Sequence, residues 1–138
     1  MEYVCDAPDG RTWFRLMTEG EAALESELMS HAVEKHYRRE RERAAEEFRP
    51  LTKVFIEQDI GKEAFIQRTM PQFLTLRNED GQPLATAMLP PEGKGDGNRI
   101  IVGPNNADPY PSQAEAIRAL AEHFGIALDR AHCYPYRR

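Results

Sequence analysis

The sequence predicts an α+β domain: an antiparallel sheet of about four to five strands packed against one long helix in the N-terminal half and a C-terminal helix. Three observations carry this. Turn-forming Asp-Gly pairs at 9–10 and 80–81 sit between short apolar runs, two capping-box patterns open helical stretches, and prolines at 50, 71 and 111 punctuate the chain. The length of 138 residues fits one domain spanning residues 1–138, long enough to bury a core without a disulfide or structural metal. With 41% hydrophobic and 30% charged residues, the composition is that of a folded chain rather than a disordered one.

Each element has a local reason. EYVC (2–5) and RTWFRLM (11–17) flank Ala-Pro-Asp-Gly, which reads as a first hairpin with Trp13 in the core beside it. Thr18-Glu-Gly-Glu21 is a capping box, and a helix from 19 to 49 follows, stopped by Pro50. On a helical projection Ala22, Met29, Val33, His36, Tyr37, Ala44 and Phe48 form one apolar stripe, while Leu24, Leu28 and Ala32 form a second. The first half is therefore expected to be sandwiched and the second to project. Residues 51–60 leave strand and helix open, with Val54-Phe55-Ile56 as their apolar run, and a short helix is expected over 61–69. QFLTLR (72–77) and PLATAML (83–89) alternate on either side of Asn-Glu-Asp-Gly-Gln and make the clearest hairpin. RIIVG (99–103) supplies the next strand of a meander. Ser112-Gln-Ala-Glu115 is a second capping box, and Gly125 suits the left-handed position after the last helix.

The formal charge of -5 supplies no field to gather phosphates. The arginine run Arg38, Arg39, Arg41 and Arg43 is diluted by glutamates, with nine Glu against six Lys or Arg over 19–49. Such mixing describes a solvated helix face or a partner surface better than a groove reader. No basic start followed by an apolar run opens the chain, and no stretch approaches ~18 apolar residues. The expectation is a soluble cytoplasmic protein with no membrane partner and with reduced Cys5 and Cys133.

Catalytic signals are thin. GKGDG (93–97) is followed by a strand rather than a helix, which argues for a hairpin loop over a phosphate cradle. His31 and His36 are spaced poorly for shared metal ligation; His36 is expected to pack and His31 to be exposed. Cys5, His123, His132 and Cys133 lack a recognised zinc spacing, and the pairs Asp59/Glu63 and Asp6/Asp9 do not stand out among so many acids. No catalytic residue, cofactor or metal ligand is assigned. The loop between the last strand and the last helix is a better candidate, with Asn105, Asn106, Asp108, Tyr110 and Ser112 before a helix start.

Two function classes follow. The first is a non-catalytic accessory or protein-interaction module, contacting a protein partner or a second copy through Leu24, Leu28 and Ala32 and the charged face of Arg38, Arg39 and Arg41. The second is a small-molecule-binding domain or small enzyme using the 104–112 loop. A nucleic-acid accessory role through Arg38–Arg43 ranks below both.

Overall fold

Among the described residues five strands form one antiparallel sheet in chain order: β1 (Glu2–Asp6), β2 (Thr12–Arg15), β3 (Gln72–Arg77), β4 (Pro83–Leu89) and β5 (Ile100–Val102). Among the described residues four α-helices accompany it: α1 (Glu19–Met29), α2 (Val33–Glu47), α3 (Gln58–Thr69) and α4 (Tyr110–Phe124). The fold is α+β. The computed structural model describes residues 1–48, 58–94 and 97–137, with side chains omitted at 58–60. The Pro50 stop, the strand-or-helix question over 51–57, Gly95 and Asp96 of the glycine loop, and the Asp59 carboxyl lie outside the described residues.

Both expected hairpins form. Asp9 and Gly10 turn the first with φ of 61° and 73°, a left-handed pair that aspartate tolerates and glycine adopts freely. In the second, Asn78 Oδ1 accepts from the amides of Asp80 at 3.0 Å and Gln82 at 2.9 Å, so a side chain satisfies turn amides that would otherwise need water. The C-terminal tail closes the β5 edge: the Tyr134 amide donates to Arg99 O and the Ile101 amide to Tyr134 O.

Strand alternation sorts the sheet residues by face. Trp13, Leu74, Leu76, Ala85, Ala87 and Ile101 pack with Ala116, Ile117 and Leu120 of α4, and the Trp13 indole donates to Ala116 O at 2.8 Å. On the opposite face Phe73 packs with Ala22 of α1, Val33, Tyr37 and Ala44 of α2, and Ile66 of α3. All six residues of β3 are buried because helices cover both of its sides.

The expected 19–49 helix is two helices. Ser30 is left-handed (φ 52°, ψ 53°), and α2 restarts at Val33. Neither glycine nor proline marks this break. Ser26 holds it: its carbonyl accepts from the amides of Ser30 and His31, and its hydroxyl accepts from the Glu34 amide at 2.8 Å, capping a helix that has no side-chain cap of its own. The expected Thr18–Glu21 capping box is present in full. α1 is not sandwiched, since Leu24 and Leu28 are each 51% exposed. Nor does the second half of α2 project, because Ala44 is buried and Phe48 stacks on Phe65.

At α4 the expected Ser112 cap is corrected. The helix begins at Tyr110, whose amide donates to Asp108 Oδ1 at 3.0 Å, and Ser112 is exposed inside its first turn. Proline at 109 and 111 pre-sets helical φ, and the helix starts three residues earlier than the capping-box pattern suggested. Gly125 takes the expected left-handed position with φ 66°.

Candidate functional site

The elbow between α1 and α2 overhangs the sheet, and beneath it lies a cleft of about 210 Å³. Its floor is built by register. Phe73, Met88 and Ile100 are cross-strand neighbours, as are Thr86 and Val102, so one face of three strands supplies a nearly continuous apolar surface. His31, Ala32, Val33 and His36 form the overhang, and Asn106 closes the far rim. Left-handed backbone brackets the cleft on both sides, at Ser30 and at Asn105 and Asn106 (φ 57° and 58°). Gly103 allows the turn behind Asn106 to close tightly; its amide donates to Ala107 O at 2.7 Å, and a Cβ on it would meet that oxygen at 3.1 Å.

A buried polar chain runs from the cleft wall into the protein. His31 Nε2 lies 2.9 Å from Thr86 Oγ1, and that hydroxyl donates to Glu25 Oε2 at 2.6 Å. Glu25 Oε1 accepts from Arg77 at 2.6 Å, and Arg77 also donates to Thr75 Oγ1 and Gly81 O. Glu25 and Thr75 are fully buried, Thr86 and Arg77 nearly so. A hydroxyl has one proton. Thr86 gives it to Glu25 and must receive its other bond, so Nε2 of His31 carries the hydrogen and Nδ1 the lone pair. Burial pushes the His31 pKa below its ordinary value, which favours this neutral ring, and the Val33 amide approaches Nδ1 at 3.5 Å. His36 accepts at Nδ1 from Arg39 at 3.0 Å, which leaves its hydrogen on Nε2 when neutral.

The two histidines thus exchange the places expected of them. His31 is half-buried and bonded, because the left-handed turn at Ser30 rotates it inward, whereas His36 is exposed. Of the interaction candidates, Ala32 lies at the cleft while Leu24 and Leu28 are exposed on α1. Arg38 pairs with Glu19 and Glu34, Arg41 with Glu63, and Arg43 with Glu40, so their charges are matched locally. Arg39 sits beside His36 and 4.0 Å from Glu40.

The loop candidates divide. Asn106 reaches the cleft, Asn105 and Ser112 are exposed, and Asp108 pairs with Arg130. Tyr110 donates to Leu128 O at 2.6 Å, and its ring lies 5.0 Å from the Arg130 guanidinium. It lines a different, larger groove of about 310 Å³ with Ile117, Ala121 and Leu128. The smaller cleft is the better site, because its polar groups are held by a buried network while the Tyr110 hydroxyl is already committed.

His132 and Cys133 do not act together. His132 bonds Asp129 at the surface, whereas Cys133 is buried and its thiol pKa is raised by that burial, which makes it a poor nucleophile. Among the described residues no group of three or more His, Cys, Asp or Glu is placed to hold a metal. No described helix is long and apolar enough to cross a membrane.

Glu25, Thr86 and Arg77 were not singled out by sequence reasoning, and His31 was expected at the surface, though a signal for the network existed. Glu25 falls between Ala22 and Met29 on the buried face of α1, and Thr75 and Arg77 follow Phe73 on one face of β3. Polar side chains at inward positions of apolar patterns mark a buried network. No protein-family model, curated protein or solved structure matches this chain.

Proposed function

We propose that the protein is a small-molecule-binding module whose site is the cleft under the α1–α2 elbow. The observation that carries this reading is the union of an apolar floor with a hydrogen-bonding wall fixed from behind by the buried His31–Thr86–Glu25–Arg77 chain. Ligand sites combine these features: apolar walls supply affinity and a few anchored polar groups set orientation. The strained backbone at Ser30 and Asn106 on its two rims adds support, since such conformations persist where a site requires them. The test is a fragment screen by heteronuclear NMR on the full chain. Hits should shift the amides of Val33, Thr86, Val102 and Asn106, and Ala32→Trp, at an exposed cleft residue, should block them without changing the fold. Hits that instead cluster around Tyr110, or that survive Ala32→Trp, would refute the assignment.

A second reading rests on Leu24 and Leu28, one turn apart and each half in solvent. They fit pairing of α1 with its counterpart in a second copy. Sedimentation should then show a dimer that Leu28→Glu converts to a folded monomer; a monomeric parent protein excludes this reading.

A further inference from the structure

Resting on that assignment of the cleft, its walls specify the ligand. We infer that the cleft takes an uncharged, ring-sized molecule whose hydrogen-bond donor is received by Nδ1 of His31.

Size comes first. An apolar cavity of roughly 150 Å³ holds a benzene molecule, so about 210 Å³ suits one substituted ring. Charge comes second. Among the described residues, no Asp, Glu, Lys or Arg lines the cleft. Glu25 behind the wall is committed to Arg77 and Thr86, and Arg39 bonds His36 at the mouth. A charged ligand group would lose hydration on this apolar floor, where no described lining residue is an Asp, Glu, Lys or Arg that could compensate it.

Polarity comes third. Because Thr86 spends its proton on Glu25, His31 must keep its own hydrogen on Nε2. Nδ1 is then an acceptor, and the Val33 amide at 3.5 Å meets it only at the outer limit of a hydrogen bond. A ligand donor at ordinary distance completes this site. A ligand acceptor would require the other tautomer and would break the bond to Thr86. The buried chain therefore sets the sign of the hydrogen bond that the cleft offers. His36 and Asn106, exposed at the mouth, can meet a second polar atom of the ligand.

The experiment titrates isotope-labelled full-length protein and its Ala32→Trp variant with phenol, toluene, benzoate and benzylammonium. It follows cleft amides and the His31 ring nitrogens. Without ligand, His31 should show hydrogen on Nε2 and none on Nδ1. Phenol should bind in the cleft roughly fivefold to tenfold more tightly than toluene, the worth of one net hydrogen bond, and should move the Nδ1 resonance. Benzoate and benzylammonium should bind at least roughly tenfold more weakly than phenol. A charged probe matching phenol overturns the inference but leaves the cleft as the site. So does toluene matching phenol, or a hydrogen found on Nδ1. Failure of all four probes to shift any cleft amide overturns the cleft assignment itself.

Discussion

At the scale of single residues, His31 shows how one backbone angle sets chemistry. Burial lowers its pKa from the ordinary 6.5. The unfolded chain then binds the proton more readily than the folded one, so the His31 contribution to stability is complete above pH 6.5 and is lost as pH falls through the folded-state value. Urea unfolding from pH ~8 to ~5 should show parent stability falling more steeply than that of His31→Asn. The three other histidines are common to both proteins and cancel in the difference. Equal slopes would mean that His31 is not held neutral. In the sequence this residue is one of two histidines five apart, and nothing in that spacing distinguishes the one that turns inward.

At the scale of elements, the elbow is the decisive feature. Apolar periodicity correctly placed Ala22, Met29, Val33, Tyr37 and Ala44 on the buried side, yet it cannot register a left-handed residue inserted between two turns with the same facing. Ser26 joins α1 to α2 through both its carbonyl and its hydroxyl. Ser26→Ala should therefore cost about 1 kcal/mol, as other lost N-caps do, read from the denaturant midpoint, and should loosen the overhang of the cleft. A change indistinguishable from zero would show that the elbow is held by packing alone. The early start of α4 is a similar case. Two prolines and Asp108 outweighed a well-formed Ser112 capping pattern because proline constrains the backbone whatever the side-chain caps offer.

At the scale of the whole molecule, the Glu25–Arg77 pair ties the helical layer to the sheet. Arg77 closes β3 and Glu25 lies in mid-α1, 52 residues earlier, with both carboxylate oxygens occupied. Removing one member leaves a buried charge without its partner, which typically costs about 3–5 kcal/mol. Glu25→Ala should lower global stability by that amount, and Glu25→Leu combined with Arg77→Met should recover most of it. Denaturant unfolding of the single and double variants decides the point; a single variant within ~1 kcal/mol of the parent would show the pair to be dispensable.

By itself the sequence determined the class of fold, both hairpins, the Thr18 and Gly125 helix ends and most of the buried stripe along α1 and α2. All of these depend on residues within a few positions of one another, or on a repeating period. Only the tertiary structure decided the elbow at Ser30, the inward turn of His31, the joining of Glu25 to Thr86 and Arg77, and the meeting of Ala32 with Asn106 at one cleft. Glu25 and Thr86 alone are 61 residues apart in the chain. Their pairing is settled by which sheet face a helix covers, and local pattern carries no record of that choice.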